Sequence, residues 1–216
     1  MSENKNSIII SDWYEIIEGE DLKQGDILEN CPVFYPPKEM KWPIALESKT
    51  PEFRYGLQKL IIMSQSCDLE PTQKSDIWLV FLCPIWSLSE ASKVNQFLAS
   101  SFGKEECRRG HMTGYHMINQ CDHGLLNQEI SIVSFREVWS LPLDFVRNMA
   151  KNMGKRPRLR SPYREHLAQA FARYFMRVGL PADIPEFKSD KAERAVMKKL
   201  NAMDDETRKR IFSHFT

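Results

Sequence analysis

Short apolar runs separated by polar turns dominate the first 140 residues and predict β-strands. Residues 60–63 (Leu-Ile-Ile-Met) are apolar throughout, which is typical of a strand buried on both faces. Residues 21–28 predict a turn that leads into a strand, because Gly25 can adopt the positive φ that many turns require. Further strands are predicted at residues 8–14, 77–86 and 129–135.

Two longer segments lack this pattern. Residues 32–55 contain five of the chain's twelve prolines and show no clear period, so we expect a long surface loop. Residues 103–129 are polar and rich in Gly, His and Cys, and they predict a second loop. Residues 89–102, just before it, have a weak helical period.

From Pro142 onward the pattern becomes helical. Pro142 and Gly154 are typical of the start and the end of a helix, and Gly179 predicts the end of the next one. The predicted helices cover residues 143–152, 162–178, 189–202 and 204–214. Strands followed by helices predict an α+β fold. We expect residues 1–140 to form a β-domain with an inserted loop, and residues 141–216 to form a helical part that shares its core.

Composition limits the range of functions. The net charge is +1, so a polyanion would have to bind at a local basic patch. No apolar run approaches the length of a membrane span, and the N-terminal residues lack the pattern of a secretory signal. The five cysteines are odd in number and irregularly spaced, which disfavours a disulfide framework. We therefore expect a cytoplasmic protein with no membrane partner.

Three segments resemble a known family when taken in order. Residues 24–27 are Gln-Gly-Asp-Ile, residues 60–64 are Leu-Ile-Ile-Met-Ser, and residues 80–85 are Val-Phe-Leu-Cys-Pro-Ile. Over about residues 22–86 the chain resembles the PemK/MazF-like SH3 barrels of toxin–antitoxin systems. The resemblance implies a small SH3-like β-barrel and ribonuclease activity. The family usually has an Arg-Pro pair before the strand that ends in Ser, whereas this chain has Gln58 and Lys59 there.

The first candidate site is the polar segment after the strand at residues 60–63. Cys67 could be a nucleophile activated by a histidine from elsewhere, and Asp68 is its acidic neighbour. In the alternative interpretation, Asp68 accepts backbone hydrogen bonds in a structural turn, and Cys67 is buried and inert.

The second candidate is a cluster of soft ligands in the predicted loop at residues 103–129. Thiolates and imidazoles are ligands that zinc prefers. The candidate ligands are Cys107, His111, His116 and Cys121. Their spacing matches no standard zinc motif, so we expect no cofactor, with zinc as the alternative. His111 or His116 could also serve as the base for Cys67.

The third candidate is a polar stripe on the helix at residues 162–178, beside its apolar face. The stripe consists of His166, Gln169, Arg173 and Arg177, and the basic residues just upstream are Lys155, Arg156, Arg158 and Arg160. Arginines suit phosphate because they remain charged and bind in a bidentate fork. The alternative is that these arginines pair with carboxylates of the protein itself.

These observations favour a nucleic-acid-binding protein, either a toxin-like ribonuclease or a component of a prokaryotic anti-phage defence system. Arg158, Arg160, Arg173 and Arg177 would bind phosphate, with Gln169 and His166 as polar readers. In a ribonuclease, His166 or a loop histidine would replace the missing arginine as acid or base. The alternatives are a hydrolase that uses Cys67 and a non-catalytic module that binds a partner protein.

Overall fold

The computed structural model describes residues 12–38, 40, 53–70, 78–122, 126, 129–176, 195, 198 and 202. The chain divides into two compact units, Met1–Arg177 and Val178–Thr216. In the second unit Ala195 and Lys198 are helical, and the amide of Ala202 donates a hydrogen bond to the carbonyl of Lys198 at 3.2 Å. No helix among the described residues is both long and apolar enough to cross a membrane.

The first unit contains both strands and helices, largely in separate runs along the chain, and it is α+β. Its described strands are β1 Tyr14–Ile17, β2 Ile27–Tyr35, β3 Arg54–Ile62, β4 Leu79–Ser87, β5 Tyr115–Ile118, β6 Ser131–Ser134, β7 Trp139–Pro142 and β8 Arg156–Leu159. Its described helices are α1 Leu88–Val94, α2 Gln96–Ala99, α3 Ser101–Arg108, α4 Leu143–Met153 and α5 Tyr163–Phe175, with a 3₁₀ turn at Ser66–Leu69.

The described strand pairings are all antiparallel and form an open sheet. The main sheet has the order β2-β3-β4-β6-β5, and β7 pairs with the first half of β4. Strands β1 and β8 form a separate ribbon. This ribbon joins the main sheet near Gly25, whose amide donates to the carbonyl of Ile62 and whose carbonyl accepts from the amide of Leu159. The predicted positive φ of Gly25 is confirmed at 88°.

The sheet separates two apolar cores because alternate residues of a strand point to opposite faces. Ile61 packs in the core that also contains Leu167 of α5. Leu60 and Ile62 pack in the other core, together with Val146 of α4. The prediction that residues 60–63 are buried on both faces is confirmed. A third core lies beneath α1–α3.

Two predicted loops are wrong in the described parts. Residues 32–55 include the end of β2 and the start of β3, which pair from Tyr35 and Arg54 inward. Pro32 is tolerated because β2 is an edge strand of the main sheet. Residues 103–129 include most of α3 and all of β5. The predicted helices at residues 189–202 and 204–214, apart from Ala195, Lys198 and Ala202, lie outside the described residues.

Candidate functional site

Helix α5 lies with one face in the core and one face open. Leu167 is buried, and Phe171 and Tyr174 are half-buried against the same core. His166, Gln169 and Arg173 are exposed. The predicted apolar face and its polar neighbour are therefore present over Tyr163–Phe175. The fourth member of the stripe, Arg177, lies outside the described residues.

A Schellman-type turn at the end of α3 brings a second basic segment towards α5. Ser100 caps the start of α3 by accepting from the amide of Gly103 at 3.0 Å. At its other end, Gly110 adopts a φ of 76°, and the amide of His111 donates to the carbonyl of Glu106. The chain then reverses into β5. Ser100 and Gly110 are sequence signals that could have identified α3.

Helices α3 and α5 border a cavity of about 240 Å³, which we call the α3–α5 cleft. Five basic side chains line the cleft: Arg108, Arg109, His116, His166 and Arg173. None of its described lining residues is Asp or Glu. The cleft therefore brings three arginines together in a protein whose net charge is +1.

The two arginines of α3 are held at the cleft by one carboxylate outside its lining. Glu105 accepts from Arg108 and from Arg109 at 2.7 Å each. These hydrogen bonds hold the pKa of Glu105 well below its ordinary value, at about 2. The side chains of Arg108 and Arg109 nevertheless remain more than half exposed. Both guanidinium groups keep surface available for an incoming anion.

His116 is the half-buried imidazole of the cleft. Burial is the main cause that lowers its pKa to about 4, and the neighbouring His166 and Arg173 contribute in the same direction. The ring stacks near Phe135 with 6.4 Å between ring centroids. At neutral pH the His116 ring is uncharged, so one of its nitrogens can accept a proton.

A second cavity of about 540 Å³ adjoins the cleft, and we call it the Tyr115 cavity. It is lined by His111, Met112, Thr113, Gly114, Tyr115, Arg136 and Tyr174. Met112, Thr113 and Tyr115 line both cavities. The guanidinium carbon of Arg136 lies 5.1 Å from the centroid of the Tyr115 ring, a cation–π arrangement. We call the two cavities, which share these lining residues, the groove, and basic and aromatic side chains line it.

Two upstream arginines of the predicted phosphate site lie in the interior instead. Arg156 and Arg158 belong to β8 and are buried, with 0% and 3% of their surface exposed. Both donate to the carboxylate of Asp26, and Arg158 also pairs with Asp21 at 3.3 Å. The expectation that Arg158 binds an outside phosphate is corrected, because its donors are used inside the protein. Arg160, at the end of β8, is exposed but does not line the groove.

The sequence interpretation missed Asp26 as the partner of these arginines. Asp26 is fully buried at the start of β2 and forms a β-bridge with Arg158. The positive φ of Gly25 makes the turn that directs Asp26 inward. The available signal in the sequence was an Asp directly before an apolar strand. Such an Asp is carried towards the core with the strand, and a buried carboxylate requires a buried partner.

Cys67 lies in a third cavity, on the opposite side of α5 from the cleft. Ala168, Phe171 and Ala172 of α5 line this cavity, whereas His166 and Arg173 line the cleft. The thiol of Cys67 is exposed and lies 3.7 Å from both the Gln65 amide oxygen and the Asp68 carboxylate. Cys67 is therefore not the buried, inert thiol of the alternative interpretation.

No described histidine lines the Cys67 cavity. His111 lies in the Tyr115 cavity, and His116 and His166 lie in the α3–α5 cleft. The structure therefore separates Cys67 and Asp68 from the histidines that were candidates for their base. The geometry favours the cleft over the Cys67 cavity for acid–base chemistry.

The four candidate zinc ligands do not converge, although Cys107 and His116 both line the α3–α5 cleft. Cys107 packs in the core beneath α1–α3, whereas Cys121 packs in the core beneath α5. Burial raises the pKa of Cys107 to about 11. His111 pairs with Glu106 at 2.9 Å. Among the described residues, no group of three or more His, Cys, Asp or Glu side chains is arranged to hold a metal ion.

The fold and the groove define an α+β protein with a basic, aromatic-walled surface site between α3, β5 and α5. Comparisons with known proteins add no relative: no family model, no curated protein and no solved structure matches the chain.

Proposed function

We propose that this protein binds nucleic acid through the groove formed by the α3–α5 cleft and the Tyr115 cavity. The observation that supports this most directly is the convergence of three arginines and two histidines on a cleft whose described lining has no carboxylate. Arginine forks suit the planar, bidentate recognition of phosphate oxygens. Aromatic groups beside such a site suit nucleobases.

The proposal revises which residues bind phosphate. Arg173 keeps the phosphate-binding role expected from the sequence, and His166, expected to be an acid, a base or a polar reader, lines the same cleft. Arg158 is no longer proposed as a phosphate ligand, because its donors already bind Asp26 and Asp21. Arg108 and Arg109 are added as phosphate ligands, since α3 and its C-terminal end place them in the cleft that α5 also borders.

Titration of a fluorescently labelled single-stranded oligonucleotide, followed by anisotropy, tests the proposal. We expect the Arg173→Ala variant to bind more weakly, and the slope of log affinity against log salt to fall by about one because one phosphate contact is lost. Arg54→Ala is a matched control, because it removes the same charge from an exposed site at the start of β3. Equal loss in both variants would contradict the proposal, since it would indicate a nonspecific effect of net charge.

Two histidines, His116 and His166, line the cleft, and they favour a second candidate activity, the cleavage of RNA. Neutral His116 would accept the proton of a ribose 2′-hydroxyl, and the 2′-oxygen would then bond to the adjacent phosphorus. The bond from phosphorus to the 5′-oxygen would break, and His166 would act as the general acid that donates a proton to that oxygen. The products are a 2′,3′-cyclic phosphate and a 5′-hydroxyl. Arg173 would stabilise the charge on the phosphorane.

Incubation of end-labelled RNA in the presence of a metal chelator tests this activity. We expect cleavage that is lost in both His116→Gln and His166→Gln and retained in Arg54→Ala. An otherwise identical all-deoxy strand should remain intact because it lacks the nucleophile. Cleavage of that strand, or full activity in His166→Gln, would exclude the mechanism while leaving the binding proposal intact.

The resemblance of residues 22–86 to PemK/MazF-like proteins supports an SH3-like arrangement of the first strands. It also supports a role in a toxin–antitoxin or anti-phage defence system. Induced expression in a bacterial host tests this role. We expect growth arrest with the unmodified chain and normal growth with His166→Gln at equal protein levels.

A further inference from the structure

The walls of the Tyr115 cavity are flat. On one side the Arg136 guanidinium lies over the Tyr115 ring. Tyr174 of α5 is a second aromatic wall, held at 6.2 Å between ring centroids from the buried Phe135. A guanidinium plane and an aromatic ring are the two surfaces on which proteins stack nucleobases.

Gly114 lines the cavity and lets the Arg136 side chain approach the backbone closely. A Cβ atom added there would lie 3.1 Å from the Arg136 Nε and 3.7 Å from the Tyr174 ring. The backbone of Gly114 is fixed, since its carbonyl accepts a hydrogen bond from the amide of Phe135 at 2.9 Å. A Cβ at this position would therefore press on the Arg136 side chain, whereas its contact with the Tyr174 ring would be an ordinary van der Waals contact.

Polar groups lie at the edge of the same cavity. Thr113 and His111 are exposed and line it. Their side chains can donate to or accept from the edge of a base. The His111 Nδ1 already contacts Glu106 at 2.9 Å, which orients the ring.

The cavity adjoins the basic cleft through residues common to both linings. Met112, Thr113 and Tyr115 line both the cavity that contains Arg136 and Tyr174 and the cleft that contains Arg173 and His166. A ligand that extends across this boundary would have its anionic part in the cleft and its planar part in the Tyr115 cavity. A nucleotide has this combination of groups.

We propose that the Tyr115 cavity is a base subsite, which holds one unstacked nucleobase of a strand whose phosphate lies in the α3–α5 cleft. This proposal rests on the proposed function and adds the substrate class, which is single-stranded nucleic acid. A duplex would have to unpair and extrude a base before that base could enter a cavity walled by Arg136 and Tyr174.

Competition against the labelled single strand separates the two subsites. The competitors are adenosine 5′-monophosphate, uridine 5′-monophosphate, ribose 5-phosphate and inorganic phosphate. If a base occupies the Tyr115 cavity, we expect a nucleoside monophosphate to compete about tenfold better than ribose 5-phosphate. A duplex of the same sequence should bind more weakly than the single strand.

The Arg136→Lys variant tests whether the Tyr115 cavity is responsible for the preference for nucleoside monophosphates over ribose 5-phosphate. Lysine keeps the positive charge but loses the planar group over Tyr115. We expect the preference for nucleoside monophosphate over ribose 5-phosphate to shrink several-fold, with the salt dependence of strand binding unchanged. Arg54→Lys is the matched control and should retain the preference.

The outcomes distinguish this proposal from the proposed function. If ribose 5-phosphate competes as well as the nucleoside monophosphates while Arg173→Ala still weakens strand binding, the base subsite is excluded and nucleic-acid binding stands. If Arg173→Ala binds the strand as tightly as the unmodified protein, the proposed function itself fails. If Arg136→Lys keeps the full preference for nucleoside monophosphates over ribose 5-phosphate, the base does not bind in the Tyr115 cavity and the base-subsite proposal is wrong.

Discussion

At the residue scale, Asp26 is the buried carboxylate that both interior guanidinium groups, those of Arg156 and Arg158, share. The Asp26 carboxylate accepts from Arg156 Nε at 3.1 Å and from Arg158 Nη2 at 3.0 Å. Carbonyls of Gly19 and Asp21 accept further hydrogen bonds from Arg156. Burial opposes the charge of Arg158, but hydrogen bonding and attraction from Asp26 and Asp21 outweigh it and raise its pKa.

Replacing Asp26 tests this network. We expect Asp26→Asn to lower the free energy of unfolding by about 3–5 kcal/mol, because two buried cations then share a neutral amide. Urea denaturation measures the change. Glu20→Gln is the control, because the Glu20 carboxylate is largely exposed and its pair with Lys151 is long at 3.6 Å. Its cost should stay below about 1 kcal/mol. A loss in Asp26→Asn no larger than in the control would contradict the prediction.

At the element scale, helix α3 depends on a close approach to α2. Gly103 is buried, and a Cβ at this position would overlap the carbonyl oxygen of Phe97. The helix also depends on Ser100, which caps it and donates to the same carbonyl at 2.8 Å. Because α3 ends in Arg108 and Arg109, this junction determines where half of the basic cleft lies.

Gly103→Ala separates packing from helix propensity. Alanine favours a helix over glycine by about 1 kcal/mol, but the overlap with the backbone at Phe97 should reverse the sign. We expect a net loss of about 2 kcal/mol in the free energy of unfolding, and weaker oligonucleotide binding. Lys104→Ala, one residue along the same helix, should change stability by less than about 0.5 kcal/mol. If Gly103→Ala is as stable as the unmodified protein, or more stable, the close approach of Gly103 to the Phe97 carbonyl is refuted.

At the scale of the whole molecule, folding and protonation of His116 are linked. The folded protein holds the pKa of His116 at about 4, below the ordinary value of 6.5, through burial and then through the charges of His166 and Arg173. The unfolded chain therefore binds a proton more readily than the folded protein between these two values. The contribution of the uncharged His116 to the free energy of unfolding is therefore complete above pH 6.5 and is lost as the pH falls from 6.5 towards 4.

We expect the unmodified protein to lose stability on acidification more steeply than His116→Gln, by a difference on the order of 2 kcal/mol. Thermal or urea unfolding across mildly acidic pH measures it. A phosphate group in the cleft should raise the pKa of His116, so nuclear magnetic resonance titration of its ring with and without inorganic phosphate is a second test. Parallel stability profiles for the two proteins would show that His116 titrates normally.

Local patterns determined several parts of this protein. The apolar run at residues 60–63 forms the end of β3, and the helices predicted at residues 143–152 and 162–178 match α4 and α5 within a few residues. The outward stripe of His166, Gln169 and Arg173 follows from the 3.6-residue period of a helix. These features depend on neighbours within a few residues, so the order of apolar and polar side chains determines them.

Only the tertiary structure decided which arginines face the solvent. Arg158 resembles a phosphate ligand in sequence, yet its partner Asp26 lies 132 residues away, and that pairing places it in the interior. Arg108 was assigned to a loop, yet α3 places it in the cleft opposite Arg173. The environment of a charge depends on which distant residues surround it, and chain topology, not local periodicity, determines those neighbours.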